Sequence, residues 1–506
     1  KGQPLAGGDI YIGRDTDTNE LAAVGDVRGA TLESKGGFVE TSGDHLKTDG
    51  VQVMAKEWLL DPSDITISAG ADAGYAESGA VPTVSYTPAS SSATSVVNVS
   101  TLQTAINAGT SVTIATTNDG TSGSGAGNIT IADALSFNNT GPQSATLSLI
   151  ADNGITQNAV ITGTGTQLVN ISMTANGNFQ GNTAASANSR GITLNAGITT
   201  NGNITLTGNN QSGAANGAGA GVNVNSQTID AGPTGDVTMT GTAINGSGVF
   251  LNDKPVLKGR DITLTGTANA STSGTGVRFN FSTNTPLIEL TAVRDLNIRG
   301  TLNASGTATG SAVRAVSHCC PGTGGGISMT ATNGQANITG IQTGNVNNTM
   351  SAVYLTGLKL NASGDISIQA QAANSNSLAI HMNREAGTLN NHPDGAQMRV
   401  RSTNGNVLIQ SNQGAVLGQD AGAVLISGRN VTLDNTGAGM VANMSVGGVS
   451  RGSIDNTTGA IVLGDGTSTF STSVTNWWSE SWMPLGVSLR GASGLGNSTD
   501  GVTATG

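Results

Sequence analysis

The side chains of this 506-residue chain that could carry chemistry are few: four histidines, two cysteines, a cluster of tryptophans and a set of recurring aspartates. His45, His318, His381 and His392 include no pair at metal-ligand spacing. His381 and His392 share one repeat with Glu385 and Asp394, a grouping that could form a site. Solvent-exposed loop histidines are the simpler reading, and no metal or cofactor is expected. Cys319 and Cys320 are adjacent in His318-Cys319-Cys320-Pro321. Neighbouring Cα atoms lie about 3.8 Å apart, short of the usual disulfide separation. A vicinal disulfide there is strained, and a loop-stabilising or inert pair is the favoured reading.

Glycan cleavage needs two carboxylates a few Å apart. Asp236, Asp261, Asp295 and Asp365 each stand just before an apolar–polar–apolar phrase, and Asn203, Asn406 and Asn430 fill the same slot in other copies. Asp and Asn interchange freely in turns, whereas catalysis would not tolerate the swap. The sequence therefore reads as non-enzymatic. Trp477, Trp478 and Trp482 form the one concentrated aromatic group and are the candidate glycan-binding residues. A cluster of this kind more often covers an open end of a core. Asn-x-Ser/Thr sequons recur, with Asn245, Asn269, Asn303, Asn337 and Asn361 as glycosylation candidates. Asn303 is expected after a strand, on a loop facing solvent. Asn128 and Asn203, at strand starts, are expected to be used less.

The elements that must position these residues follow from repetition. Gly202-Asn203-Ile204-Thr205-Leu206, Arg260-Asp261-Ile262-Thr263-Leu264, Arg294-Asp295-Leu296-Asn297-Ile298 and Gly364-Asp365-Ile366-Ser367-Ile368 are copies of one phrase, and Gly127–131 and Gly325–329 read alike. Each is a turn residue followed by a short strand with one buried face. Two further short strands follow most copies, as in Gly276-Val277-Arg278-Phe279 and Leu287-Ile288-Glu289-Leu290 after Ile262. Three strands per unit of roughly 25–40 residues predict an all-β fold, a right-handed parallel β-helix with about three short strands per coil. Ile204, Val237, Ile262, Leu296 and Ile366 should point inward and stack in register.

Composition agrees. Charged residues make up 10% of the chain and glycines number 74, so the polar surface must come from Ser, Thr and Asn rather than from the Lys and Glu of helical faces. A net charge of −11 argues against nucleic acid as a partner. No apolar run approaches the roughly 18–20 residues of a membrane span. The start, Lys1-Gly2-Gln3-Pro4, has neither an initiator Met nor a signal peptide, so the sequence reads as a fragment or processed form. Four regions are expected: a charged module at 1–67, a linker or irregular excursion at 68–100, β-helix repeats at 101–470, and a Trp cluster with a Gly/Ser/Thr-rich cut edge at 471–506.

The first module carries a motif. Gly36-Gly37-Phe38-Val39-Glu40-Thr41-Ser42-Gly43 is followed by Lys56-Glu57-Trp58-Leu59-Leu60-Asp61-Pro62 and Asp64-Ile65-Thr66-Ile67. This pair of segments resembles the two-partner-secreted filamentous-haemagglutinin class, including the high-molecular-weight adhesins. The motif covers about the first 67 residues; the remainder is similar in composition and repeat. The resemblance implies a secreted or surface-held β-helical adhesin that attaches bacteria to host-cell glycans or glycoproteins, with several members glycosylated at sequons. It also implies an outer-membrane transporter as partner, acting through an amino-terminal secretion domain that this sequence does not contain, and a bacterial surface appendage as a further partner. Two alternatives stand beside it: the delivery stick of a contact-dependent toxin, and a β-helical glycan-degrading enzyme.

Overall fold

Strict alternation of apolar and polar residues over five to seven positions lets a strand bury one face and wet the other. In Ala145–Ala151 the residues Ala145, Leu147, Leu149 and Ala151 are buried, and Val169–Ala175 lies directly alongside with Val169, Ile171, Met173 and Ala175 in register. Between these two strands the chain makes Ile155–Gln157 and Ile161–Gly165, each in a different sheet. Three strands thus complete one coil, and the chain returns beside its starting point. The computed structural model describes residues 8–412 apart from 16, 19–20, 44, 62–63, 71–74, 81–82, 89–93, 117–126, 178–190, 212–218, 281–287, 317–325, 347–350, 374–378 and 384–397; after 412 it describes only the strands within 415–491. The protein is a parallel β-helix, and its contacts divide it into two units, 1–213 with 227–237 and 214–226 with 238–506.

In the first unit, sheet one runs through Ile10–Ile12, Thr31–Ser42, Gln52–Asp61, Ser111–Ala115, Ala145–Ala151, Val169–Ala175 and Ile204–Asn210. The first 67 residues, expected as a separate module, therefore already supply rungs of the helix. Their motif is a strand pair: Val39 lies opposite Trp58, Glu40 opposite Leu59 and Ser42 opposite Asp61. The register shifts between Ser34 and Phe38, where Gly36 takes a φ of 74° that disfavours a side chain. Trp58 is buried and its indole Nε1 donates to Thr41 Oγ1 at 3.0 Å. The Arg14 guanidinium bonds Glu40 and, at 2.6 Å, Asp61, while Ser42 Oγ donates to Glu40 at 2.6 Å. Burial raises the Asp61 carboxyl above the usual carboxylate range; the Arg14 charge opposes this and the Glu40 charge adds to it.

The segment expected as a linker or irregular excursion at 68–100 contains regular elements. It holds an antiparallel pair, Tyr75–Ala80 with Thr83–Pro88, and the strand Ser95–Asn98. A helix, Val99–Asn107, then begins where the repeats were expected to start. Asn98 caps it by accepting from Ser100 N, and Thr101, Leu102, Ala105 and Ile106 are buried. Among the described residues no helix is long and apolar enough to cross a membrane.

In the second unit, sheet one contains Ile262–Ala270, Leu296–Ala308, Ala336–Val346, Ile366–Gln371 and Val407–Ser411. Sheet two contains Val222–Asn225, Ser247–Asn252, Thr275–Asn280, Val313–Val316, Val353–Thr356 and Ile380–Asn383. Sheet three contains Val256–Gly259, Ile288–Ala292, Ile327–Ala331, Leu358–Ala362 and Met398–Ser402. Ile262, Leu296, Ala336, Ile366 and Val407 are stacked opposite one another and buried. In the first unit Ile204 is paired with Ile171 and also buried.

Three sheet-one strands of this unit are unusually long because glycines let them pass close to sheet two. A Cβ on Gly266 would lie 2.0 Å from the Gly276 carbonyl oxygen, and one on Gly300 would lie 1.9 Å from that of Ala312. Beyond these glycines the strands overhang the start of sheet two. Small side chains fill the space between, with Ala268, Ala270, Leu302, Ala308, Ala312 and Val346 forming a satellite core. Gly300→Ala should therefore destabilise the second unit by roughly 1–3 kcal/mol, the usual range for an overpacked site. Thermal unfolding should show the loss, while Ser305→Ala, farther along the same strand, should leave the melting temperature within about a degree.

Candidate functional site

The recurring aspartates are backbone acceptors. In the first unit Asn203 N donates to Asn170 Oδ1 and Asp236 N to Asn203 Oδ1, each at 2.9 Å. In the second unit Asp295 N donates to Asp261 Oδ1 at 3.1 Å, Gln335 N to Asp295 Oδ1 at 3.0 Å, and Asn406 N to Asp365 Oδ1 at 2.7 Å. The slot needs one side-chain oxygen aimed at the next coil, which Asn and Asp supply alike. Burial favours protonation of Asp261, but the Arg294 guanidinium, the Asp295 N–H and Arg260 outweigh it and hold the carboxyl below its ordinary range.

The sequon asparagines sit in strands and turns, and hydrogen bonds occupy the side chains of Asn245, Asn303 and Asn337. Asn303, expected on a loop after a strand, lies inside Leu296–Ala308, directly opposite Asn269 and Thr343. Its Nδ2 donates to Asn269 Oδ1 at 2.9 Å and its Oδ1 accepts from Thr343 Oγ1 at 2.8 Å. The expectation failed because Leu296–Ala308 continues past Gly300 as part of the overhang. Asn337 lies in Ala336–Val346 and donates to Asn297 Oδ1 at 2.9 Å. Asn361 lies in Leu358–Ala362, half-buried. Asn245 has a φ of 53°, and its Oδ1 accepts from Ser271 N at 2.7 Å and Thr272 N at 3.1 Å. Asn269 is exposed and accepts from Asn303 through Oδ1, and its own Nδ2 bonds none of the described residues.

Trp477, Trp478 and Trp482 lie outside the described residues, as do His318, Cys319, Cys320, His392, Glu385 and Asp394. His45 is buried in the strand His45–Lys47. Among the described residues no group of three His, Cys, Asp or Glu is placed to hold a metal.

His381 belongs to an arrangement that the sequence reading missed. Along sheet two of the second unit, Phe250, Arg278, Arg314, Tyr354 and His381 occupy the same slot in successive coils. Their neighbours Val249, Val277, Val313, Val353 and Ile380 are buried, so this slot faces outward. The Arg278 guanidinium lies 5.1 Å from the Phe250 ring centre, and that of Arg314 lies 5.9 Å from Tyr354. Tyr354 and His381 stack at 4.6 Å with their planes 18° apart. The middle residue of each Val-x-(Leu/Phe/Ala) strand was legible as an outward position; that these positions form one column required the register.

A second outward column runs along sheet one of the same unit. Arg299, Thr339, Gln369 and Gln410 lie opposite one another in successive strands. They line a cleft of about 440 Å³ together with Gly340, Ile341, Gln371, Ser411 and Asn412. Gln369 Nε2 donates to Gln410 Oε1 at 3.2 Å, and the Asn412 amide both accepts from Ala372 N at 2.8 Å and donates to Ala372 O at 3.0 Å. The cleft gathers the amides of Gln369, Gln371, Gln410 and Asn412 with the Thr339 hydroxyl and the Arg299 side chain, on strands spaced about 4.8 Å apart, a polar lining suited to polyhydroxylated ligands.

No family model matches the chain, and no curated protein matches it.

Two outcomes follow from the hydrogen bonds. Asp261→Asn keeps the acceptor and should cost less than Asp261→Ala, which strands the Asp295 N–H at about 1–2 kcal/mol. Because the folded Asp261 carboxyl titrates below its unfolded value, its charge contributes fully above about pH 4, and the contribution fades as pH falls through the folded value. The stability gap between the unaltered chain and Asp261→Asn should accordingly close in denaturant titrations run below that range. For the sequons, enzymatic transfer of sugar to the folded chain should modify Asn269 well ahead of Asn303 and Asn337, as read by glycopeptide mass spectrometry. Equal occupancy at all three would show that the ladders do not restrict access.

Proposed function

We propose that this chain is the β-helical portion of a secreted or surface-held bacterial adhesin of the filamentous-haemagglutinin class, and that it attaches to host-cell glycans without turning them over. The observation that carries the reading is the amide-lined cleft over Arg299, Thr339, Gln369 and Gln410. Its groups are mostly neutral, they repeat at strand spacing, and they are held by the helix rather than by a loop. A sugar chain laid across it would exchange water hydrogen bonds for amide hydrogen bonds with little reorganisation of the protein. The register of the amino-terminal motif supports the class assignment, since its two segments pair strand to strand as rungs of the helix.

Trp477, Trp478 and Trp482, the glycan-binding candidates from the sequence, lie outside the described residues, and our proposal takes the amide cleft as the binding surface. A Gln369→Leu/Gln410→Leu double substitution keeps side-chain bulk and removes two amides. In glycan-array and cell-attachment assays it should weaken binding of neutral oligosaccharides at least tenfold. Raising salt to 0.5 M should change that binding little, because most of the lining is uncharged. Undiminished binding by the folded double variant would overturn the assignment of the cleft.

A further inference from the structure

The two motif segments of the first unit contain acids that glycan attachment does not use. Val39, Thr41 and Leu60 point into the core, so Glu40, Ser42 and Asp61, which alternate with them, stand on the outer face of the strand pair. Acids on an outer face normally reach water, yet Glu40 is 4% exposed and Asp61 7%. The chain at 13–22 covers them. Gly13 passes so near that a Cβ there would collide with the Ser42 carbonyl oxygen, and its φ of 85° suits glycine. Ala22 N donates to Gly13 O at 2.7 Å and Arg14 bridges to Leu21, which turns the segment back on itself.

Beneath this cover two carboxylates share one guanidinium. Arg14 Nε donates to Glu40 Oε1, and Arg14 Nη2 donates to Asp61 Oδ2 at 2.6 Å. Ser42 Oγ is a second donor to Glu40 Oε1. Asp61 Oδ1 is buried and receives no hydrogen bond. One negative charge is therefore in excess, and one carboxylate oxygen has no donor. Both conditions are costly in a poorly hydrated site, and both ease when Asp61 carries a proton. Other titratable side chains lie nearby. Tyr11, opposite Glu40 on the first strand, is exposed; Asp9 accepts from Phe38 N, Asp64 accepts from Asn128 N, and His45 and Lys47 are buried in the strand that follows. Among the described residues, the charges that act on Asp61 are those of Arg14, which favours the carboxylate, and Glu40, which opposes it.

We propose that Arg14, Glu40 and Asp61 form a proton-operated clasp, in which a proton bound by Asp61 tightens the 13–22 segment over the motif strands and its release to water loosens it. When the segment lifts, Asp61 meets water and titrates as an ordinary carboxyl, near pH 3.9. Under the closed segment, burial and then Glu40 hold the proton to a higher pH than that, against the pull of Arg14. The stability this gives the closed segment is complete below about pH 4 and is lost as pH rises through the closed-state value. The clasp depends neither on the amide cleft nor on the adhesin reading.

The test is amide hydrogen exchange on the 506-residue chain at a series of pH values from 4.5 to 8, with rates corrected for the intrinsic effect of pH. The opening constant read at Ala22 and over 10–14 should be at least about twofold larger at pH 8 than at pH 4.5, while that of Ala145–Ala151 stays constant. Asp61→Asn keeps the shape and removes the excess charge. At pH 8 it should open as little as the unaltered chain does at pH 4.5, and it should show no dependence on pH. Glu40→Gln removes one of the two causes that hold the proton, so the loosening should begin at lower pH. Opening that is independent of pH in the unaltered chain would overturn the clasp. So would an Asp61→Asn variant that opens more than the unaltered chain at pH 8, or a dependence on pH that survives Asp61→Asn and so belongs to another group such as His45. Should Asp61→Asn fail to fold, the pH series on the unaltered chain and on Glu40→Gln decides the matter.

Discussion

Each coil of a parallel β-helix must place its inward residues on those of the coil before it, because no single coil has a second layer of its own to bury them against. Ile262, Leu296, Ala336, Ile366 and Val407 meet that condition in the second unit, and Leu147, Ile171 and Ile204 meet it in the first. Once these columns are aligned, every other slot is aligned with them. The turn slot becomes a chain of side-chain oxygens each accepting the next coil's N–H, as in Asn170, Asn203 and Asp236. The outward slots become columns of whatever side chains the sequence places there.

That consequence turns a stability requirement into a means of display. A residue on an isolated outward position touches solvent; in register with its equivalents it joins a rigid row at strand spacing. Gln369 and Gln410 form an amide row, Asn269 and Asn303 another, and Phe250, Arg278, Arg314, Tyr354 and His381 a row of rings and cations. The inward columns tolerate exchange among aliphatic residues, so outward composition can change without disturbing the core.

Glycine sets the limits of this scheme in the second unit. Gly266 and Gly300 let sheet-one strands approach the entry of sheet two so closely that a methyl group would meet carbonyl oxygen. The strands can then extend beyond the main core, bury Ala268, Leu302 and Ala312 in a satellite core, and line with their turns a cavity beside Arg278 and Arg314. That cavity on sheet two thus originates in the backbone packing of sheet one.

The sequence by itself determined the fold class, the three-strand coil and the inward residues. A two-residue alternation bounded by Gly, Asn and Asp has few ways to bury itself, and its repetition leaves stacking as the solution. It also determined that the aspartates serve as turn acceptors, since Asn replaces them. Which sheet a phrase joins was decided only by tertiary structure. Ile129–Ile131 and Ile327–Ala331 read like Ile204–Asn210, yet they lie in sheets two, three and one respectively, because the lengths of the intervening turns fix the phase of the coil. The helix at Val99–Asn107 escaped notice because its Val, Ser and Thr are weak helix formers, and burial of Leu102 and Ile106 compensates. The strand position of Asn303 and the arginine–aromatic column were hidden for a related reason. Residues roughly 30–40 apart become neighbours only through register, and no local pattern states how far a strand runs past its glycine.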